Sequence, residues 1–113
     1  MSEGGIVHVT TEAAEVLTPE PGMLRQVLAY SPKLMLVRHR LSKGWVGVSH
    51  KHPHEQLVYV VSGRIEFIGG GKTYHLCRGD SIVVEGNVEH QATALEDSEV
   101  LDVFAPCRSD YTH

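Results

Sequence analysis

The chain has 113 residues, of which 42% are apolar and 21% are charged, and its formal net charge is −4. This length predicts one domain with a single core, and the composition excludes a disordered, collagen-like or membrane-spanning chain. The acidic balance, with no cluster of Lys or Arg, argues against a nucleic-acid surface.

The N-terminus has neither a basic stretch nor a long apolar segment, so we expect no signal peptide and a cytoplasmic protein. Two cysteines, Cys77 and Cys107, are too few to indicate a disulfide framework, and in that compartment reduced thiols are favoured.

Short strands separated by turns are predicted for residues 6–28, where small apolar runs alternate with Thr, Glu, Pro and Gly. We expect residues 1–21 to form an N-terminal arm of such strands. Residues 44–104 form the predicted core of a single domain that spans residues 1–113.

A strand over residues 34–41 follows, by its apolar and β-branched content, and its alternation puts Arg38 and Arg40 on one face. Both arginines are candidates for substrate binding if that face looks into a pocket. The alternative, which the usual surface bias of arginine favours, is a solvated or paired side chain on a strand.

The stretch from Gly44 to Gly63 concentrates side chains that bind metals. His50, His52 and Gln56 are all even-numbered, and side chains of an extended chain alternate between two faces, so these three share one face. His54 has the same parity, but the proline before it bends the chain, so we place it behind the ligands or on the surface. Two imidazoles and an amide oxygen are neutral ligands, and a mononuclear site needs a fourth.

His90 is the best candidate for the fourth ligand. It follows an apolar strand, 82–84, and a Gly86–Asn87 turn, and Asn tolerates the left-handed conformation that such turns often demand. A second hairpin would therefore present His90 to the other three residues. We expect one divalent transition metal (Zn, Ni, Mn or Fe) on His50, His52, Gln56 and His90. Three imidazoles and a neutral amide leave the cation its full charge, which suits a Lewis acid better than a redox centre.

Short apolar runs recur at intervals typical of an all-β domain. The predicted strands cover residues 57–61, 64–68, 72–77, 82–84, 90–94 and 99–104. Three glycines, 69–71, mark a hairpin turn between two of them. This series indicates an antiparallel sandwich or barrel.

Asp102 stands in an apolar strand, where a carboxylate is costly to bury without a partner or a function. It shares a face with Phe104, and near a metal it is a candidate general acid or base. Phe104 is a candidate substrate contact. Arg108, four residues further on, is a candidate for binding a substrate carboxylate bidentately, with a surface arginine as the equal alternative. On this interpretation Asp102→Asn keeps the fold and the metal and loses most activity.

A homodimer is the expected assembly. The strands over residues 57–61, 82–84 and 99–104 are apolar at nearly every position, so both of their faces should be covered, and one barrel interior covers only one face.

The metal-binding residues lie at the spacings of the two cupin motifs, which the chain resembles. Five residues separate Gly44 from His50, one separates His50 from His52, three precede Gln56 and six precede Gly63. In the second motif, Gly79, Asn87 and His90 keep their spacing. Gln56 replaces the usual glutamate, Glu85 a usual proline and Ala94 a usual asparagine. The resemblance implies an all-β cupin fold, the double-stranded β-helix or jelly-roll barrel, with a metal near its mouth.

A narrower resemblance covers residues 22–111. The run HKHPHEQLVYVVSG and the ending LEDSEVLDVFAPCRSDY are similar to the small pectin-degradation cupins of the KdgF type. That resemblance implies conversion of a 4,5-unsaturated monouronate, a small carboxylated sugar, into its linear keto form. It also implies Asp102 and Arg108 at catalysis and fits Gln56 in place of glutamate.

Two other functions remain open from the sequence. One is an iron-dependent dioxygenase on the same ligands, which oxygen consumption would reveal. The other is a non-catalytic cupin that holds a metal or a small ligand, which would be favoured if Asp102 and Arg108 lay away from the metal.

Overall fold

The computed structural model describes residues 4–112, so residues 1–3 of the predicted arm lie outside it. Its secondary structure consists of nine strands and one short 3₁₀ helix at Ser109–Tyr111. The strands are β1 Leu17–Glu20, β2 Met23–Ser31, β3 Leu34–Leu41, β4 Glu55–Ser62, β5 Arg64–Gly69, β6 Lys72–Cys77, β7 Ser81–Val84, β8 His90–Ala94 and β9 Ser98–Ala105. In the described part of the chain, no helix is long and apolar enough to span a membrane.

Two antiparallel sheets build the domain. The larger has the strand order β1-β2-β3-β9-β4-β7, and the smaller has the order β6-β5-β8. Buried aliphatic and aromatic side chains from both sheets form the main core, for example Val60, Ile65, Phe67 and Val100. This arrangement confirms the predicted all-β jelly-roll class, and the strands predicted from residue 34 onward agree with the observed ones to within two residues at each end. Within residues 6–28, where several short strands are predicted, the structure has β1 and the first part of β2, whereas residues 6–16 form turns, irregular backbone and one isolated bridge residue.

Alternation in β4 and β9 decides which residues reach the interior. Even-numbered residues of both strands point inward: Val58 and Val60 in β4, and Val100, Asp102 and Phe104 in β9 are buried. In β3 the inward residues are odd-numbered, since β3 contributes Met35, Val37, His39 and Leu41 to the interior.

Arg38 and Arg40 therefore share a face, as predicted, but it is the outer one. Their candidate role as substrate contacts facing the pocket is wrong, and the favoured alternative, a solvated or paired side chain, is confirmed. Arg38 donates to the Glu99 carboxylate at 2.8 Å and to Oε1 of Gln26 at 2.6 Å, while Arg40 is exposed. The physical reason is that β3 carries apolar residues on both faces, and its neighbour β9 aligns the odd-numbered ones with its own buried residues.

The N-terminal segment covers part of this outer face. Gln26, which is buried, donates its amide hydrogens to the carbonyl oxygens of Thr11 and Ala14 at 3.0 and 3.1 Å. Residues 11–14 therefore pack over the β2 and β3 end of the large sheet. The β4 and β7 end carries exposed apolar side chains, among them Leu57 and Val83.

Candidate metal centre and active site

Backbone pairing brings the histidines of the two motifs together. His50 and His90 form an antiparallel bridge, with each N–H donating to the other's carbonyl at 3.0 and 2.9 Å. Asn87 adopts a positive φ of 68°, as the predicted turn requires, and donates its N–H to the carbonyl of His52 at 2.7 Å. A Cβ at Gly86 would collide with the carbonyl oxygen of Pro53, so glycine is needed where the two motifs touch.

The rings of His50, His52 and His90 are oriented by the backbone. Each Nδ1 lies 2.8 to 3.0 Å from a carbonyl oxygen two residues away along the chain. The three acceptors are Val48, His54 and Val88. A carbonyl only accepts, so each Nδ1 carries the proton and each Nε2 keeps a lone pair.

These lone pairs converge. One ring nitrogen from each of His50, His52 and His90 lies within 4.8 Å of the others. Burial lowers the pKa of both His52 and His90 below the usual histidine range, which favours the neutral, metal-binding form. Nε2 of His90 is buried without a hydrogen-bond partner. A buried lone pair without a donor, aimed at two others of the same kind, fits a divalent cation.

Gln56 reaches the same point from β4. Its Nε2 donates to Oδ1 of Asp102 at 2.8 Å, and its Oε1 lies 3.1 Å from Nε2 of His52. Since His52 Nδ1 already holds the ring proton, these two atoms are both acceptors. A cation beside them would satisfy both, which fits Gln56 as the fourth ligand.

Asp102 is the centre of a buried hydrogen-bonded chain and is only 4% exposed. Its second oxygen, Oδ2, lies 2.7 Å from Nδ1 of His39, and Nε2 of His39 accepts from Nε of Arg25 at 3.0 Å. Strand register explains the contacts. Asp102 lies opposite Val37 on one side and Val58 on the other, so its diagonal neighbours are His39 and Gln56.

A cavity of about 290 Å³ opens over these groups. His50, His90, Gln56, Asp102 and Phe104 line it, together with apolar side chains from both sheets and the ring of Trp45. Its volume is at the lower end of small-molecule sites, which indicates a small ligand.

Two guanidinium groups line the same cavity beside the C-terminal 3₁₀ helix. Arg25 and Arg108 lie 3.9 and 4.1 Å from the ring centroid of Tyr111, which therefore contacts both of them. Arg108 also stands 5.0 Å from the centroid of Phe104 and is paired with the Asp110 carboxylate at 2.8 Å. That guanidinium lowers the pKa of Asp110, whereas burial raises the pKa of Tyr111.

Among the residues singled out from the sequence, the structure brings His50, His52, Gln56, His90, Asp102, Phe104 and Arg108 to this cavity or its edge. His54 lies behind His52 and contributes its carbonyl oxygen to the orientation of that ring. Sequence reasoning missed Arg25, His39 and Tyr111. The odd parity of β3, which carries His39, would have been the signal, but it becomes visible only once β9 is known to pair with β3.

Comparison with known proteins places these features in context. The model of the family described as "Cupin domain" matches residues 37–104. The pectin degradation protein KdgF of Dickeya dadantii is 36% identical over 92 residues, which cover 80% of this chain and 84% of that protein. The solved structure of KdgF from Halomonas sp. superposes with a TM-score of 0.88 at 36% identity and covers 93% of this chain and 99% of that one. An RmlC-like cupin from Shewanella frigidimarina gives 0.90 at 32% identity, over 98% and 97% of the two chains.

Proposed function

The chain belongs to the cupin family, and from that premise we propose that it is a metal-dependent enzyme that opens the ring of a small unsaturated uronate to give the linear keto form. The relatives named as pectin degradation and KdgF proteins support this substrate class. We propose that the reaction is an isomerisation in which no electrons are gained or lost.

One observation carries the proposal: a buried carboxylate, Asp102, lines the same small cavity as Arg25, Arg108 and two histidines, His50 and His90, whose ring nitrogens converge with that of His52. Burying a carboxylate to this extent destabilises the fold, so we infer that Asp102 is retained for its role in the site. The guanidinium groups offer N–H donors of the kind that bind a carboxylated sugar, and Arg108 at present uses some of its donors on Asp110.

His50, His52, Gln56 and His90 are the residues that would hold the metal. When bound, a divalent cation on neutral ligands supplies Lewis acidity toward a sugar oxygen. The remaining steps belong to the side chains of the chain itself.

Asp102 is the proposed proton carrier. Ring opening breaks the bond between the anomeric carbon and the ring oxygen, and the anomeric hydroxyl becomes an aldehyde. The proton of that hydroxyl passes to Asp102 as the ring oxygen leaves as an enolate, and the enolate then takes this proton back from Asp102 on carbon to become the ketone. Both hydrogen-bond donors on Asp102, from His39 and Gln56, fix the plane of its carboxylate, so that one lone pair stays available to the substrate.

Arg108 is proposed to bind the substrate carboxylate, with Phe104 beneath it as an apolar contact for the sugar ring. Phe104 and Tyr111 meet edge to face with centroids 5.7 Å apart, and the guanidinium lies over both rings. This packing limits the rotamers of Arg108 and reduces the entropy lost when a substrate is bound.

The test is direct. An unsaturated uronate absorbs in the ultraviolet through its conjugated alkene, and the absorbance disappears as the keto form accumulates. We expect the wild-type protein to accelerate this loss, a metal-stripped sample to lose the acceleration, and Zn²⁺, Ni²⁺, Mn²⁺ or Fe²⁺ to restore it.

No acceleration with any of these metals would overturn the proposal. Oxygen consumption during turnover would point to a dioxygenase instead, and tight sugar binding without turnover would point to a binding cupin.

A further inference from the structure

We propose that Asp102 is also a positioning residue, because its carboxylate decides which end of the Gln56 amide faces the three histidines. The inference rests on the metal site of the proposed function but concerns metal affinity, a property separate from proton transfer. It follows from the direction of every hydrogen bond along the buried chain of Arg25, His39, Asp102 and Gln56.

The direction is fixed from the arginine end. A guanidinium only donates, so Nε of Arg25 makes Nε2 of His39 an acceptor at 3.0 Å. An imidazole whose Nε2 accepts carries its proton on Nδ1, and that proton is donated to Oδ2 of Asp102 at 2.7 Å. One oxygen of the carboxylate is thereby occupied, and the other, Oδ1, remains for Gln56.

The direction continues through the amide. Oδ1 of Asp102 is an acceptor, so the group 2.8 Å away must be the NH₂ of Gln56. The carbonyl oxygen of Gln56 then lies on the other side, 3.1 Å from the lone pair of His52. In the opposite orientation the NH₂ of Gln56 would lie against His52 and donate a hydrogen bond to its ring nitrogen. No lone pair of the amide would then face a cation.

Burial fixes the direction of these hydrogen bonds. Asp102 and His39 are 4% and 6% exposed, so a broken hydrogen bond between them, or from Asp102 to Gln56, would leave a buried polar group unsatisfied. The amide of Gln56 therefore has one orientation in which all of its neighbours are satisfied once a cation is present.

Asp102→Asn reverses this direction with almost no change in shape. Nδ1–H of His39 needs an acceptor, so the asparagine turns its oxygen toward His39 and its NH₂ toward Gln56. Gln56 must then present its oxygen to the asparagine and its NH₂ to His52. This is contrary to the expectation from the sequence, in which Asp102→Asn keeps its metal.

The experiment measures Zn²⁺ affinity of the metal-stripped proteins by competition with a chromophoric chelator. We expect Asp102→Asn to bind Zn²⁺ about 10–100-fold more weakly than the wild type, the range for loss of a residue that orients a ligand. Gln56→Leu, which removes the oxygen outright, should weaken binding by at least as much. The double variant Gln56→Glu with Asp102→Asn should regain wild-type affinity or better, because a carboxylate has no donor end to turn toward the metal.

Asp80→Asn is the matched control. It makes the same chemical change in an exposed segment, where the carboxylate accepts from the backbone N–H of Cys77 at 2.8 Å, and it should leave Zn²⁺ affinity unchanged. Melting temperatures check that each variant is folded.

Wild-type affinity in Asp102→Asn, or in Gln56→Leu should the asparagine variant not fold, would overturn this inference and leave the proposed reaction standing. A wild type that does not bind Zn²⁺ would overturn the metal site and the inference together. Absence of uronate turnover with normal Zn²⁺ binding would count against the proposed reaction alone.

Discussion

Strands β4 and β9 have two faces, and the usual distribution of polarity is partly reversed between them. Their inner face carries Gln56 and the buried carboxylate of Asp102, next to the apolar core. Their outer face carries Leu57 and Tyr59, which are 40% and 45% exposed. A monomer would be more stable if the inner face were wholly apolar and the outer face polar.

Each anomaly has a different physical explanation. Polar groups on the inner face hydrogen-bond one another, and the proposed metal and substrate would satisfy the rest. Binding and catalysis therefore explain why this sequence buries polar groups at a cost in folding free energy. The apolar groups on the outer face stay partly exposed, Leu57 at 40% and Tyr59 at 45%, whereas the β2 and β3 end of the same sheet is covered by the N-terminal segment. We infer that the inner face is organised for chemistry and that the uncovered outer face is organised for association.

The largest effect is expected from removal of the carboxylate on the inner face. Asp102→Asn, assayed at saturating Zn²⁺ so that weaker metal binding is compensated, should lower kcat for the unsaturated uronate by about 10²–10⁴-fold, the usual contribution of a general acid or base. Ultraviolet absorbance follows the reaction. Unchanged kcat in a folded, metal-loaded variant would mean that Asp102 only positions Gln56.

Removal of one imidazole comes next. His90→Ala should weaken Zn²⁺ binding by at least about 100-fold, because loss of a direct ligand costs more than loss of an orienting group. His75→Ala is the matched control, since that histidine is exposed and pairs with Glu66 at 3.2 Å. Stoichiometric, tight Zn²⁺ in His90→Ala would remove His90 from the site.

The outer face should respond in assembly and not in metal binding. If the wild type is a homodimer joined through this face, Leu57→Ser should raise its dissociation constant about 30-fold. Each copy loses about 1 kcal/mol of apolar burial, and a two-fold interface counts the change twice. Sedimentation or light scattering at several concentrations measures the shift. A monomeric wild type at micromolar concentration would contradict the dimer. A loss of Zn²⁺ affinity in Leu57→Ser would show that the outer face also affects the metal site on the inner face.

Period-two alternation explains how much of this could be predicted from the sequence. It predicted that His50, His52 and Gln56 lie close together, and Gln56 does reach His52, although a bend at residues 53–54 separates them and β4 begins only at Glu55. Turn chemistry, and not alternation, predicted a left-handed Asn87, which the structure confirms. Local patterns of this kind need no knowledge of which strands are neighbours.

The unpredicted parts depend on long-range register. His39 meets Asp102 across 63 positions of sequence, and Arg25 enters only through His39. For β3, apolar residues on both faces left the inward face undecided, and the pairing with β9 decided it. For that reason the sequence left the pocket role of Arg38 open, and the position of Arg38 on the outer face leads to the weakest of the expected effects.

The pair formed by Arg38 and Glu99 lies on the outer face and should affect stability alone. Glu99 accepts from Nε of Arg38 at 2.8 Å, and this hydrogen bond holds the pKa of the Glu99 carboxyl below its usual range. A pKa depressed in the folded state means that folding favours the ionised form. The stabilisation is therefore complete above the unfolded chain's pKa, about 4.3, and is lost as the pH falls through the lower folded value.

Glu99→Gln should lower the free energy of unfolding in urea by up to about 1 kcal/mol at pH 7, as expected for a pair with side chains 21% and 24% exposed. The loss should become progressively smaller below about pH 4. A cost that does not shrink in acid would show that packing, and not charge, is what Glu99 contributes; a change in Zn²⁺ affinity or kcat would show that this outer pair is coupled to the inner site after all.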